Sequence, residues 1–207
     1  MLGLFLWAVD VSRLPRAFFG RPTVEVARDL LGRLLVRRLP DGAELRGRIV
    51  ETEAYRGEGD TASHASRGRT PRNAVMFGPP GYAYVYLIYG MYHCLNVVTE
   101  PEGVAGAVLI RAVEPVAGLE RMKALRPVKR LVDLTNGPGK LCRAFAVDRS
   151  LNGEDCVNGT RLWLEAGQPV DDADVGRSPR IGVPYADEKD RKALWRFFIK
   201  ENEWVSR

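Results

Sequence analysis

The 207-residue chain has few side chains that bind metals or form disulfides. It contains two histidines, His64 and His93, and three cysteines, Cys94, Cys142 and Cys156. The number and spacing of the cysteines fit neither a disulfide framework nor a structural zinc site. We therefore expect an intracellular protein from a reducing compartment that works without a metal ion or another cofactor.

Long hydrophobic runs are also scarce. The first nine residues are apolar, but they are too few to span a bilayer and lack the basic start of a secretory signal. Residues 1–13 are thus expected to form an N-terminal extension of uncertain order, followed by a functional domain at 14–207. A hydrophobic content of 45% with 28% charged residues predicts one compact domain with a real core.

Positive charge is in modest excess. The net charge is +5 and the sequence pI is about 9.3, which favours a polyanionic partner. Basic residues cluster at 67–72 and again at 121–130, on either side of a tyrosine-rich stretch. Such clusters can neutralise phosphates, although a solvated, solubilising surface is the ordinary alternative.

The pattern of predicted elements favours the α+β class. The strands group as hairpins, so we expect a single compact domain with a largely antiparallel, curved β-sheet flanked by helices. Strands are predicted at 34–39, 44–55, 83–89, 92–99, 106–113, 162–165, 181–183 and 195–200. Helices are predicted at 23–31 with Thr23 as N-cap, at 70–77 with Thr70 as N-cap, and at 119–125 and 141–147.

The strand at 48–55 carries two carboxylates and a phenol. Alternation along a strand places Glu51, Glu53 and Tyr55 on one face. Ile49 is expected on that face, and Val50, Thr52 and Ala54 on the other. A carboxylate beside an aromatic wall suits a site that activates water next to a flat ligand. An edge strand with a solvated polar face is the plainer interpretation.

Tyrosines are concentrated in one short stretch, at positions 82, 84, 86, 89 and 92. They could pack as a half-buried strand, or they could form a platform on which a nucleic-acid base stacks, at about 1–3 kcal/mol per base. Tyr89 precedes Gly90 at a predicted turn, where its ring could act as a wedge in a duplex.

The segment 137–140, Gly-Pro-Gly-Lys, is similar to a phosphate-binding loop but lacks the full pattern. Leu134 stands in place of the first glycine, and Leu141 replaces the Ser or Thr that would hold magnesium. Nucleotide hydrolysis is therefore rejected. Backbone N–H groups at such a helix start can still hold one DNA phosphate.

An ordered set of motifs resembles the alkyladenine (3-methyladenine) DNA glycosylase family in its bacterial form. The motifs span roughly residues 14 to 205. They are LGRLLVR (31–37), RIVETEAY (48–55), ASHA (62–65), TPRN (70–73), MFGPPG (76–81), AYVYLIYGM (83–91), CLNVV (94–98), LIRAVEP (109–115) and NGPGKLC (136–142).

The resemblance implies a role for each candidate residue. Glu53 would be the general base that deprotonates water, with Arg111 holding both. Asn96 would exclude the amino group of normal guanine, and Tyr89 would fill the gap left in the duplex. The base would be enclosed by Tyr55, His64 and Tyr86, and phosphates would be contacted by Arg69, Arg72, Arg126 and Lys140.

The implied function is a monofunctional DNA repair glycosylase. It would flip alkylated or deaminated purines from duplex DNA and hydrolyse the N-glycosidic bond by water attack, without strand cleavage. We expect a monomer that binds duplex DNA containing a damaged purine, works in the cytoplasm at the nucleoid, and binds no membrane. A non-catalytic nucleic-acid-binding module and a nucleoside hydrolase remain the alternatives.

Overall fold

One long strand, β2 (Glu44–Arg56), connects most of the sheet. The protein is described by a computed structural model over residues 12–206. Most of the expected extension at 1–13 thus lies outside the described residues. Arg13, at its end, forms an isolated antiparallel bridge with Glu165 and donates to the carbonyls of Val157 and Gly159.

In the described part of the chain, eight strands form an open sheet in the order β3-β4-β5-β2-β1-β6, and the antiparallel pair β7 and β8 is attached to β2 through β8. Each pairing among the described residues is antiparallel. The other strands are β1 (Leu34–Arg38), β3 (Ala83–Ile88), β4 (Tyr92–Val98), β5 (Gly106–Ala117), β6 (Leu162–Glu165), β7 (Val175–Ser178) and β8 (Arg196–Ile199). The α+β class with an antiparallel sheet is confirmed.

Five short α-helices flank this sheet in the described part of the chain. They are α1 (Arg16–Phe19), α2 (Thr23–Asp29), α3 (Leu119–Leu125), α4 (Pro138–Ala144) and α5 (Glu188–Lys192). Single 3₁₀ turns occupy Ala74–Phe77, Leu131–Leu134, Arg149–Leu151 and Asp172–Asp174. No helix among residues 12–206 is long and apolar enough to cross a membrane.

Several predicted elements differ from the observed ones. Thr23 is the first residue of α2 rather than its N-cap, and its hydroxyl donates to Glu100 instead. The helix expected at 70–77 is a turn followed by a 3₁₀ helix, and α4 starts at Pro138 rather than at 141. Residues 181–183, predicted as a strand, lie instead in an irregular loop, and the nearest strand before them is β7.

The main hydrophobic core lies between the sheet and the helices α2 and α4. Its largest fully buried side chains include Phe19, Leu30, Leu35, Phe145 and Phe197. Fully burying a side chain of this size contributes roughly 1.5–3 kcal/mol. The core therefore provides a rigid base for the polar groups of the neighbouring strands.

Three register shifts interrupt the pairing of β2 with β5, and two of them are adjacent β-bulges between Ile49 and Thr52. Val50 is the extra residue on β2, and Arg111 is the extra residue on β5. Ile49, predicted on the carboxylate face, packs instead in the main core together with Val50. Bulges commonly redirect a side chain next to an active site, and this pair places Arg111 between Glu51 and Glu53.

Candidate active site

A cleft of about 730 Å³ is lined by residues of β2, β3, β4 and β5 and of the loops beside them. Its surface is largely aromatic and apolar, with a few polar groups, which is the usual composition of a ligand site. Residues from eight segments line it, including Tyr55, His64, Arg72, Tyr86, Tyr89, Asn96, Arg111, Pro138, Ile181 and Tyr185. The structure thus brings together most of the predicted site residues.

Glu53 lies directly behind this cleft and has no exposed surface. Its Oε2 accepts hydrogen bonds from the Tyr55 hydroxyl at 2.8 Å and from Arg111 Nη1 at 3.2 Å. Its Oε1 accepts one from the backbone N–H of Ile181 at 2.7 Å. All three donors line the cleft. A carboxylate offers about four acceptor sites, so one site remains on Oε1.

Glu51 is also fully buried, but its acceptor sites are more completely used. Oε1 accepts from Arg111 Nε, Arg196 Nε and the Ser206 hydroxyl, and Oε2 accepts from the Ser206 backbone N–H. Four protein donors thus bind Glu51, against three for Glu53, and two of the residues that supply them, Arg196 and Ser206, do not line the cleft. Of these two buried acids, only Glu53 is bound entirely by residues that line the cleft.

Arg111 connects the two acids. Its Nε lies 2.9 Å from Glu51 Oε1, and its Nη1 lies 3.2 Å from Glu53 Oε2. Burial opposes the guanidinium charge, but Glu53 and Glu51 outweigh it, so the pKa of Arg111 is raised. The site thus contains a fixed positive charge beside the carboxylate that faces the cleft.

The cleft walls are planar rings. His64 and Tyr86 meet edge to face, with ring centroids 4.5 Å apart and an interplanar angle of 69°. Burial, with a smaller contribution from Arg72, lowers the pKa of His64, so its imidazole is neutral at pH 7. Burial also raises the pKa of Tyr86 and Tyr55, which keeps both phenols neutral. Neutral, electron-rich rings favour a flat cationic ligand.

Tyr55 is supported from behind by a buried ion pair. The Arg180 guanidinium lies 4.8 Å from the Tyr55 ring centroid and 4.9 Å from that of Trp195. Asp60 binds this guanidinium through both oxygens, at 2.7 and 2.8 Å. Arg180 also donates to the Ala54 carbonyl, which ties the loop after β7 to β2.

Asn96 is buried and lines the cleft from β4. Its side-chain Nδ2 donates to the Tyr84 carbonyl at 3.1 Å, and this bond fixes the orientation of the amide. On the neighbouring strand, the Tyr84 hydroxyl lies 3.0 Å from His64 Nδ1. The polar groups beside the aromatic walls are therefore held in place before any ligand binds.

Tyr89 projects from the tip of the β3–β4 hairpin. The ring is 79% exposed, and the backbone has a φ of 52°, a left-handed conformation that costs free energy for a residue with a Cβ. Next to it, Met91 is 67% exposed. An exposed, strained aromatic tip beside a cleft is a poor arrangement for folding stability and fits a contact surface.

The sequence matches one family over most of its length. Residues 17–203 correspond to methylpurine-DNA glycosylases. The chain belongs to the methylpurine-DNA glycosylase family. Hence it is a DNA glycosylase, a hydrolase of N-glycosyl bonds that serves in DNA repair and takes damaged DNA as its substrate.

Three relatives cover nearly all of the chain, and each bears the assigned name 3-methyladenine DNA glycosylase. The protein of Methanocella arvoryzae is 55% identical over 195 residues, covering 94% of this glycosylase and 96% of the relative. Those of Salinibacter ruber and Chlorobium phaeobacteroides are 51% and 48% identical, covering 93% and 94% of this chain and 96% of each relative.

Of the four basic residues predicted to contact phosphates, Arg72 lines the glycosylase cleft, whereas Arg69, Arg126 and Lys140 do not. Arg69 and Arg72 are exposed on the loop before Ala74–Phe77, and Arg72 also lines the cleft, 5.9 Å from the Tyr86 ring centroid. Lys140 follows the cleft residue Pro138 and binds Asn136 Oδ1 at 2.8 Å. Arg126 is half-buried and donates to the Asp133 carbonyl at 2.7 Å.

The loop after β7 contributes site residues that the sequence motifs missed. Ile181 bonds to Glu53 through its backbone N–H, and Tyr185 is 68% exposed at the cleft with its hydroxyl 3.1 Å from the Ala62 carbonyl. Neither residue lies in one of the motifs that carry the resemblance to the family, and Ile181 was predicted as part of a strand at 181–183. The only local signal is the cluster of Pro179, Gly182 and Pro184, which is typical of a loop.

Proposed function

We propose that this enzyme flips alkylated purines, 3-methyladenine above all, out of duplex DNA and hydrolyses their N-glycosidic bond by attack of water. The proposal rests on one observation in particular. Glu53, with one unused acceptor site, lies directly behind a cleft that planar rings line and that is large enough for a purine. Family membership argues against both a non-catalytic binding module and a nucleoside hydrolase.

Eversion of the nucleotide leaves a gap in the duplex, at a cost of a few kcal/mol. In this proposal Tyr89 enters the gap, since its ring is exposed and its backbone is held at the hairpin tip. Tyr92, at the base of this tip, packs against Gly139 of α4, where an added Cβ would lie 3.1 Å from the ring. This contact with α4 thus supports the hairpin when Tyr89 is inserted between the stacked base pairs.

The everted base would bind between Tyr55, His64 and Tyr86. A 3- or 7-alkylated purine is cationic, and the neutral rings attract this charge without repulsion from a protonated histidine. Asn96 would discriminate at the purine edge, because its amide is already fixed to Tyr84 and cannot turn away from an additional amino group.

Glu53 would act as the general base. It takes one proton from a water molecule while the water oxygen bonds to C1′, and the electron pair of the C1′–N bond leaves with the purine. A cationic base departs as a neutral molecule and needs no strong general acid, unlike the leaving groups of glycosidases that use two carboxylates. Arg111 would hold the water and Glu53 in register.

Water must first reach the buried carboxylate. Glu53 is covered by Tyr55, Arg111 and Ile181, of which Ile181 belongs to a surface loop and is 44% exposed. We propose that water enters at this loop, because its exposed residues pack less tightly than the strands do. Substrate binding would displace Ile181 slightly and let one water approach Oε1.

The reaction would stop at the abasic site. No lysine lines the cleft in the described part of the chain, so no amine is placed to form a Schiff base with the sugar. Deaminated purines such as hypoxanthine would be released more slowly, because they are neutral and therefore poorer leaving groups. The enzyme is accordingly proposed to be monofunctional.

A single-turnover excision panel tests this function. Duplexes carrying 3-methyladenine, 7-methylguanine, hypoxanthine or ethenoadenine are incubated with excess enzyme, and released base and strand breaks are quantified. We expect the two cationic lesions to be released fastest and the strands to stay intact until alkali treatment. Release of none of the four bases, or strand cleavage without alkali, would contradict the proposal.

Replacing the hairpin tip should weaken flipping. Tyr89→Ala removes the ring, so affinity for a duplex with an abasic-site analogue should fall by roughly 1–3 kcal/mol, the contribution of one stacked ring. Tyr89→Phe is the matched control and should bind as the wild type does, because it retains the ring. Fluorescence anisotropy measures both affinities, and equal binding by Tyr89→Ala and Tyr89→Phe would exclude the wedge.

Salt dependence should report the phosphate contact proposed for Lys140. Lys140→Ala should reduce the slope of log K against log salt by about 0.9, the value for one neutralised phosphate. Lys192→Ala is the control, since Lys192 is an exposed lysine on α5 paired with Glu188. If both variants keep the wild-type slope, Lys140 contacts no phosphate.

A further inference from the structure

A second buried carboxylate has no part in the proposed reaction. Glu51 has no exposed surface, and its two oxygens accept four hydrogen bonds of 2.7–2.9 Å from Arg111, Arg196 and Ser206. Burying a carboxylate is costly unless its partners are well placed. Placing one beside the equally buried Glu53 adds repulsion between like charges. We therefore looked for a function of Glu51 that would offset this cost in stability.

Glu51 controls the orientation of Arg111. The planar guanidinium bonds to Glu51 through Nε and to Glu53 through Nη1, while Nη2 lies 3.4 Å from the Ser206 hydroxyl. A planar guanidinium that is hydrogen-bonded along two edges cannot rotate about the terminal bonds of its side chain without breaking a contact. The position of the Nη1 atom next to Glu53 is therefore set from the side facing away from the cleft.

The partners of Glu51 come from elements that are remote in the sequence. Ser206 is separated from Glu51 by 155 positions, and Arg196 by 145. Residues 204–206 are anchored independently, because Trp204 is buried in the main core and its N–H donates to Asn202. This segment is thus a rigid support rather than a loose end resting on the site.

We propose that Glu51, together with Arg196 and Ser206, is a positioning group that holds Arg111 in the geometry that Glu53 needs for catalysis. The inference rests on the proposed role of Glu53 as general base. Two guanidinium groups and two carboxylates balance in charge here. Removing the charge of Glu51 leaves both arginines with Glu53 as the remaining acid of this cluster.

Two substitutions test the positioning role on a 3-methyladenine duplex under single-turnover conditions. Glu51→Gln should lower the excision rate by roughly 10- to 100-fold, the cost of a small misplacement in a catalytic group. Ser206→Ala removes only the hydroxyl and should lower the rate severalfold. Both variants should bind an abasic-site duplex as the wild type does, since neither residue lines the cleft.

The pH profile separates positioning from simple loss of stability. Loss of the neighbouring negative charge should favour the ionised base, so the acidic limb of the Glu51→Gln rate profile should move to lower pH. Other charged or titratable groups near Glu53 are unchanged in this variant. They are Tyr55 on β2, Cys94 on β4, Arg111 on β5, Arg196 on β8, and Arg180 and Tyr185 on the loop after β7.

Control variants keep each outcome decisive. Glu165→Gln makes the same change in another buried, arginine-paired acid, and it should keep the wild-type rate and pH profile. If Glu51→Gln does not fold, the excision rate of Ser206→Ala tests the positioning role in its place. Wild-type rates and profiles in the folded variants, alongside an inactive Glu53→Gln, would overturn the positioning role alone. A Glu53→Gln enzyme that still releases base would overturn the proposed function and this inference with it.

Discussion

Glu53→Gln is expected to abolish base release while preserving DNA binding. The amide cannot accept a proton from water, so single-turnover excision of 3-methyladenine should fall by about 10²–10⁴-fold, the typical contribution of a general base. The amide keeps the shape of the carboxylate and can still accept from Tyr55 and Arg111 through its oxygen. Affinity for a lesion-containing duplex should therefore remain close to that of the wild type.

Excision and binding must be measured on the same preparations, because the variant also alters a buried cluster. Quenched-flow excision gives the rate, and anisotropy with the lesion duplex gives the affinity. Glu165→Gln is again the matched control for a buried acid outside the cleft. An excision rate within a factor of ten of the wild type would remove Glu53 from the role of base.

Asp60→Ala is expected to cause the largest loss of stability. The Arg180 and Asp60 side chains are 0% and 1% exposed, so the substitution leaves a buried guanidinium without its counter-charge. Breaking such a pair costs about 3–5 kcal/mol. Asp60 also accepts hydrogen bonds from the backbone N–H groups of Arg56 and Ala62, which would lose their acceptor.

Urea unfolding measures this loss directly. Glu188→Ala provides the contrast, because the Glu188–Lys192 pair is about 70% exposed on both sides and such pairs contribute about 0–1 kcal/mol. An Asp60→Ala protein that loses less than the exposed pair would show that Arg180 finds another partner. Because Arg180 also supports Tyr55, the folded fraction should bind lesion DNA less tightly.

The strand that carries the acids could be predicted from the sequence, but its register could not. Alternation placed Glu51 and Glu53 on one face, and both do bind Arg111. The same rule put Ile49 with them, which is wrong because the bulge at Val50 breaks the period of two. A bulge depends on the pairing with β5, and that pairing is not encoded in the local pattern of β2.

Long-range contacts set the remaining limits of prediction. The burial of Glu53 depends on Ile181, which is 128 positions away, and the support of Tyr55 depends on Asp60 and Arg180, which are 120 positions apart. The loop that provides Ile181 was expected to be a strand. Local motifs identified the rings and acids of the cleft, whereas the loop that covers Glu53 became visible only in three dimensions.

The most direct test is a crystal structure of the Glu53→Gln enzyme bound to a duplex with 3-methyladenine. We predict an everted purine between Tyr55 and His64, its C1′ one water molecule away from residue 53, and the Tyr89 ring stacked in the duplex. A purine that remains paired in the helix, or a C1′ too distant for a single bridging water, would contradict the account.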